Sequence, residues 1–138
     1  MTTRREMNTA LGVALGAFFS GSGMLLDALP PDAVKTLIEE PLGNIPNPEA
    51  TMLTLTILPG TVSAPHKHPG PVFAYILEGE IENQVDPDPP KTYRAGDYFY
   101  EPAMHVHRML RNLSKTETAK ILVFQVGEKG KPGAMSAE

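Results

Sequence analysis

Short apolar segments separated by turn residues make up most of the chain. Thr51–Leu58 alternates with a period of two and is rich in β-branched residues, the pattern of a half-buried strand. Glycine and proline pairs, such as Pro59-Gly60, separate the segments and favour turns. The pattern therefore predicts a succession of strands, at Thr51–Leu58, a segment ending at His68, Val72–Glu78, Glu80–Val85, Tyr98–Glu101, His105–Arg111 and Lys120–Val126.

The first thirty residues have a different pattern. Arg4 and Arg5 precede an apolar run from Ala10 to Leu26 that several glycines interrupt. A basic start followed by a moderately apolar segment is typical of a secretory signal, and the adjacent arginines resemble a twin-arginine export signal. We therefore expect export to the periplasm. The alternative is a cytoplasmic protein in which residues 1–30 form a short amphiphilic helix that packs on the barrel or on a partner subunit.

The rest of the chain is predicted to form one domain. Residues 31–126 contain the strands, and Ala33–Glu40 is either a further strand or a short helix. Residues 127–138 are polar and rich in glycine and lysine, which predicts a mobile tail. The apolar run near the N-terminus is shorter than the roughly 20 residues that a membrane span needs, so no stable span is expected.

Composition narrows the chemistry. The net charge of −4 leaves no basic face to neutralise phosphates, so nucleic acid is not an expected partner. The chain contains no cysteine, which excludes disulfides, thiolate nucleophiles and iron–sulfur clusters. A bound metal must therefore have nitrogen or oxygen ligands.

Three of the four histidines have a spacing that suits a metal site. His66 and His68 are two apart in a predicted strand, so their side chains leave the same face. His107 lies in a later strand that can cross the same barrel interior. Three neutral imidazoles suit zinc, iron, copper, nickel or manganese and leave coordination positions open. By itself, however, a His-x-His pair in a strand is more often structural or exposed.

The motifs around these histidines resemble those of the cupin superfamily. Gly60-x5-His66-x-His68, followed by Tyr75–Gly79, is similar to the first cupin motif, G-x5-H-x-H-x(3–4)-E-x6-G. Gly96-Asp97-x4-Pro102-x4-His107, with Asn112 close behind, is similar to the second motif. The resemblance implies an all-β jelly-roll barrel of the double-stranded β-helix type. It also implies that His66, His68 and His107 bind one divalent transition metal (Fe, Mn, Zn, Cu or Ni) and that the protein is a homodimer.

One departure from the family pattern concerns the metal. The glutamate that many cupins place after the second histidine corresponds here to Val72 or Phe73, neither of which can be a ligand. The resemblance therefore implies a site of three histidines without that carboxylate. Three neutral imidazoles leave the full 2+ charge of the ion, so we expect a small anionic organic substrate.

Two further residues near the motifs are candidates for the chemistry. His105 has the strand parity of His107, and its ordinary pKa near 6.5 suits a catalytic acid or base. The alternatives are a residue on the rim of the barrel or a fourth ligand. Glu101 precedes Pro102, and we expect an exposed charge there; the alternative is a carboxylate that accepts an imidazole N–H.

The expected function is that of a mononuclear three-histidine metal enzyme of the dioxygenase or oxidoreductase type. A non-catalytic module that binds a small molecule is one alternative. A metal-dependent isomerase or lyase is another, since one barrel can host many chemistries.

Overall fold

The computed structural model describes residues 37–38 and 43–137. These residues form strands and no helix, which confirms the expected all-β class. The strands are β1 (Pro48–Ile57), β2 (His66–Lys67), β3 (Val72–Glu78), β4 (Glu80–Val85), β5 (Lys91–Arg94), β6 (Tyr98–Glu101), β7 (Val106–Asn112), β8 (Ala119–Glu128) and β9 (Met135–Ser136). Among the described residues, no helix is long and apolar enough to cross a membrane.

The strands form two antiparallel sheets. One sheet has four strands in the order β1-β8-β3-β6, and the other has five in the order β5-β4-β7-β2-β9. Consecutive strands change sheet between β2 and β3 and between β3 and β4, so the chain winds back and forth between the two layers. This arrangement is the double-sheet barrel that the resemblance to the cupin motifs implied.

The core lies between the two sheets. β3 alternates, with Val72, Ala74 and Ile76 buried at every second position. Ile76 and Ile81 are fully buried, and the burial of each such side chain contributes roughly 1.5–3 kcal/mol. The cluster of buried apolar side chains comprises Ile57, Ala74, Ile76, Ile81, Phe99, Leu110, Ala119 and Ile121.

A glycine fixes the corner between His68 and β3. A Cβ atom at Gly70 would lie 1.7 Å from the carbonyl oxygen of Val126, so no other residue fits this close approach of two backbones. The backbone N–H of Val126 donates to the carbonyl of Pro71 next to it, at 3.1 Å. The loop that follows His68 is thereby held against β8.

The C-terminal segment differs from the expected mobile tail. β8 continues to Glu128, two residues beyond the predicted end, and β9 then pairs with β2 in the register His66↔Ser136 and Lys67↔Met135. Met135 and Ser136 therefore belong to the sheet that contains His66 and His107. The signal or packing segment at residues 1–30 lies outside the described residues. So does Ala33–Glu40, apart from Leu37 and Ile38, which are in neither a strand nor a helix.

Candidate metal centre

The fold brings the three predicted histidines together. β2 and β7 are antiparallel neighbours, and His66 and His107 are directly opposite each other in the register. The ring centroid of His66 lies 4.7 Å from that of His107 and 4.9 Å from that of His68. One ring nitrogen of each histidine lies within 4.8 Å of the others, close enough for all three to reach one ion.

Each imidazole donates one ring N–H to a protein oxygen. His66 Nδ1 donates to the carbonyl of Ala64 at 2.8 Å, and His68 Nδ1 donates to the carbonyl of Gly133 at 2.7 Å. His107 Nε2 donates to the side-chain oxygen of Asn83 at 2.5 Å. A neutral imidazole has one donor and one acceptor nitrogen, so the remaining nitrogen of each ring has a free lone pair. Such outer hydrogen bonds are typical of metal-binding histidines because they fix the tautomer and the ring orientation.

Glu101 contacts two histidines of the centre, and the expectation of an exposed charge was wrong. The residue is 5% exposed. Its Oε2 atom lies 3.2 Å from His107 Nδ1 and 3.6 Å from His68 Nε2. These are the ring nitrogens that do not donate, so Glu101 does not accept the N–H bonds of the alternative interpretation either. Oε2 of Glu101 and Nδ1 of His107 are buried without a hydrogen bond.

The strand register explains how a carboxylate reaches this place. Val72 on β3 is opposite Glu101 on β6 and opposite Gln125 on β8. Val72 is 2% exposed and lines the same cavity as the histidines, so it faces the centre where the family glutamate was expected. Glu101 lies one strand away on the same face.

Burial controls the charge state of the centre. Desolvation, together with the neighbouring His66 and His68, lowers the pKa of His107 to about 4. Desolvation also lowers the pKa of His68, although the bond to Gly133 opposes the change. Desolvation raises the pKa of Glu101 to about 7. His68 and His107 are therefore neutral at pH 7, which is the form that binds a metal.

The centre lies at the polar end of a cavity of about 350 Å³. Most of the remaining wall is apolar, and this volume is at the lower end of the range for small-molecule sites. The residues that line the cavity are Leu53, Leu55, Ser63, His66, His68, Val72, Ala74, Phe99, Glu101, His107, Leu110, Ile121, Val123 and Gln125.

His105 is not part of this cluster. β7 begins at Val106, and His105 precedes it in an exposed turn. Its Nδ1 donates to the carbonyl of Asp86 at 3.2 Å, and it is absent from the cavity lining. The turn, with Met104 at a positive φ of 65°, ends the strand before parity with His107 can direct His105 inward. A catalytic role for His105 stays a prediction.

Asn83 and the carbonyl of Gly133 were missed from the sequence, whereas Glu101 was considered there but expected to be exposed. Asn83 is two residues from the buried Ile81 on β4, and this parity is a sequence signal for an inward position. Glu101 has the same relation to Phe99 on β6. The carbonyl of Gly133 has no sequence signal, because any residue supplies a backbone oxygen.

Comparison with known families agrees with this architecture. The fold is a double-sheet barrel with a histidine cluster that can hold a metal, and the Cupin domain family profile matches residues 53–125, just over half of the chain. The chain therefore belongs to the Cupin domain family. A comparison with curated protein sequences gave no match.

Solved structures show the same fold at low sequence identity. DMSP lyase DddQ from Ruegeria pomeroyi DSS-3 is 23% identical with a TM-score of 0.56, over 63% of this chain and 42% of that one. An uncharacterized conserved protein with a double-stranded β-helix domain from Klebsiella pneumoniae is 23% identical with a TM-score of 0.54, over 80% and 90%. The polyketide cyclase RemF from Streptomyces resistomycificus is 19% identical with a TM-score of 0.54, over 64% and 61%. The match thus spans less than half of the DddQ chain.

Proposed function

We propose that the protein is a mononuclear metal enzyme of the dioxygenase or oxidoreductase type that acts on a small anionic organic substrate. The observation that supports this most directly is the convergence of three imidazoles, each with a free lone pair, at the end of an apolar cavity. His66, His68 and His107 are the proposed ligands. The buried atoms Glu101 Oε2 and His107 Nδ1, which lack hydrogen bonds, indicate that the centre is built around a cation.

The residues of the chain prepare the site in two ways. A divalent ion bound there would act as a Lewis acid and, if redox-active, exchange electrons with dioxygen or substrate. The three N–H acceptors hold the rings in one orientation, which limits the reorganisation needed when a ligand arrives. The apolar wall accommodates the carbon skeleton of a small substrate, whose anionic group then faces the histidines.

Metal analysis is the first test. Protein purified without added metal or chelating resin is expected to contain about one divalent ion per chain. His66→Ala and His107→Ala are expected to lose the ion and keep the wild-type circular dichroism spectrum. Wild-type protein that remains metal-free after titration with Fe(II), Mn(II), Zn(II), Cu(II) and Ni(II) would contradict the proposal.

Oxygen uptake tests the reaction type. Loaded protein mixed with catecholates, β-diketone enolates or small carboxylates is expected to consume dioxygen with at least one of them. Product formed without oxygen would instead indicate a lyase or isomerase, the former being the activity named for DddQ. Binding without turnover would indicate a non-catalytic module.

His105→Ala tests the predicted acid or base. Because His105 is exposed and outside the histidine cluster, this variant is expected to retain the metal. A fall in kcat with unchanged metal content supports a catalytic role. Unchanged kcat leaves His105 as a rim residue.

Export through the twin-arginine-like segment is proposed on the sequence alone. Protein recovered from its native cell is expected to begin after about residue 23–28 and to lie outside the cytoplasm. An intact N-terminus in the cytosolic fraction contradicts it.

A further inference from the structure

The geometry points to Glu101 as a fourth ligand of the same ion, a carboxylate supplied by β6 in place of the β3 position that Val72 occupies. This inference rests on the proposed metal site and goes beyond its three histidines. It predicts a site with the donor set of three imidazoles and one carboxylate, although the sequence has lost the glutamate from its usual motif.

The first argument is the burial of an oxygen that has no donor. Glu101 is 5% exposed, and Oε2 accepts no hydrogen bond from the described residues. A buried carboxylate is costly unless it is paired or coordinates a metal. The only ion-pair contacts of Glu101 among the described residues are with the imidazoles of His68 and His107.

The second argument is the identity of the ring nitrogens that face this oxygen. His68 uses Nδ1 for its bond to Gly133, and His107 uses Nε2 for its bond to Asn83. The nitrogens that face Glu101 Oε2 at 3.6 and 3.2 Å are therefore the ones with lone pairs. Neither ring nitrogen donates to Oε2, so all three atoms can direct a lone pair at one ion when the carboxyl is ionised. A divalent cation bound by all three would take the place of the carboxyl proton.

The third argument is the register. Directly opposite residues on antiparallel strands have Cβ atoms about 4.5–5.5 Å apart on one face. Val72 and Glu101 are such a pair, so a carboxylate can move from β3 to β6 and still reach the ion that the histidines bind. Val72 then fills the vacated position with an apolar side chain.

The substrate class changes as a consequence. One carboxylate reduces the net charge of a divalent centre from 2+ to about 1+. A substrate that binds through a single anionic oxygen then suits the site better than a dianion. The monoanion acetate is therefore expected to inhibit more strongly than the dianion oxalate.

Chelator competition with Zn(II) and Co(II) tests the inference without requiring activity. The variants are Glu101→Gln, which keeps the shape and removes the charge, and Glu78→Gln, an exposed control. Loss of an outer hydrogen-bond partner costs 10–100-fold in metal affinity. Loss of a direct anionic ligand is expected to cost more than about 100-fold, and the Co(II) absorption spectrum is expected to change. Glu78→Gln is expected to match wild type.

A double variant tests the register argument. In Val72→Glu/Glu101→Val the carboxylate returns to β3, and we expect affinity within about 10-fold of wild type. If Glu101→Gln binds Zn(II) as tightly as wild type with an unchanged Co(II) spectrum, Glu101 is not a ligand, while loss of binding in His107→Ala would still support the proposed function. If wild type binds neither Zn(II) nor Co(II), and none of the other ions titrated above, the proposed function itself fails. Circular dichroism of each metal-free variant separates loss of the site from loss of the fold.

Discussion

Replacing Asn83 by leucine tests whether a single hydrogen bond prepares His107 for the metal. Asn83 is 4% exposed, and its side-chain oxygen accepts the Nε2–H of His107 at 2.5 Å. Without this acceptor the ring can move its proton to Nδ1, which lies 3.2 Å from Glu101 Oε2. The new N–H then bonds to Glu101 and occupies the nitrogen that would bind the metal.

The structure predicts that metal affinity changes more than stability. A buried donor left without an acceptor costs about 1–3 kcal/mol. The bond to Glu101 offsets part of this, so we expect the metal-free variant to lose about 1 kcal/mol, or roughly 4–8 °C in Tm. Metal affinity has no such compensation, and it is expected to fall by about 10–100-fold.

Three measurements check the reasoning, namely chelator competition, urea unfolding of the metal-free protein, and ¹⁵N chemical shifts of the His107 ring. Asn112→Leu is the matched control, because Asn112 is buried on the same strand as His107 but donates to the carbonyls of Ile57 and Glu117. The control is expected to lose stability and keep metal affinity. Wild-type affinity in Asn83→Leu, or an equal loss of affinity in Asn112→Leu, would refute the role assigned to Asn83.

Three further predictions concern pH, the C-terminal segment and assembly. Burial raises the pKa of Glu101 from 4.5 to about 7, so the metal-free fold favours the protonated carboxyl. The stabilisation from this protonated form is full below pH 4.5 and is lost as the pH rises through 7. The unfolding free energy of wild type minus that of Glu101→Gln should thus fall by about 3 kcal/mol across this window; a rise would contradict the sign. Deleting residues 131–138 removes the carbonyl that orients His68, and metal affinity should fall by about 10-fold or more by chelator competition; unchanged affinity would show that Gly133 is dispensable. Finally, the homodimer remains a prediction. The outer edge of β1 pairs with no other described strand, so it is available to a second chain; light scattering that shows a monomer at micromolar concentration would contradict the dimer.

The strands with apolar alternation were predictable from the sequence. β3, β4 and β6 have the bounds that the pattern predicts, and β8 differs by only a few residues. β5 was missed because Lys91–Arg94 is almost entirely polar and exposed, so its pairing with β4 has no hydrophobic signal. β9 was missed because its partner is distant in the sequence and its two residues are exposed.

The three histidines were predictable and the carboxylate was not. Strand periodicity predicted a shared face for His66 and His68, although β2 ends at Lys67, and motif resemblance supplied His107. Glu101 has the same periodic relation to Phe99, but a charged residue before a proline turn usually remains in solvent. Its burial depends on the pairing of β6 with β3, which local sequence does not encode.

The bond between His68 and Gly133 has a consequence for the order of biosynthesis. The two residues are 65 positions apart, so at about 5–20 residues per second a ribosome needs several seconds to pass from one to the other. During that interval the nascent chain already contains His66 and His68 and gains His107 part of the way through, but until its end it lacks the carbonyl of Gly133 that orients His68. An ion captured at this stage would meet only part of its ligand set. A metal that needs all of these groups is therefore expected to bind only after residue 133 has been translated and the barrel has closed.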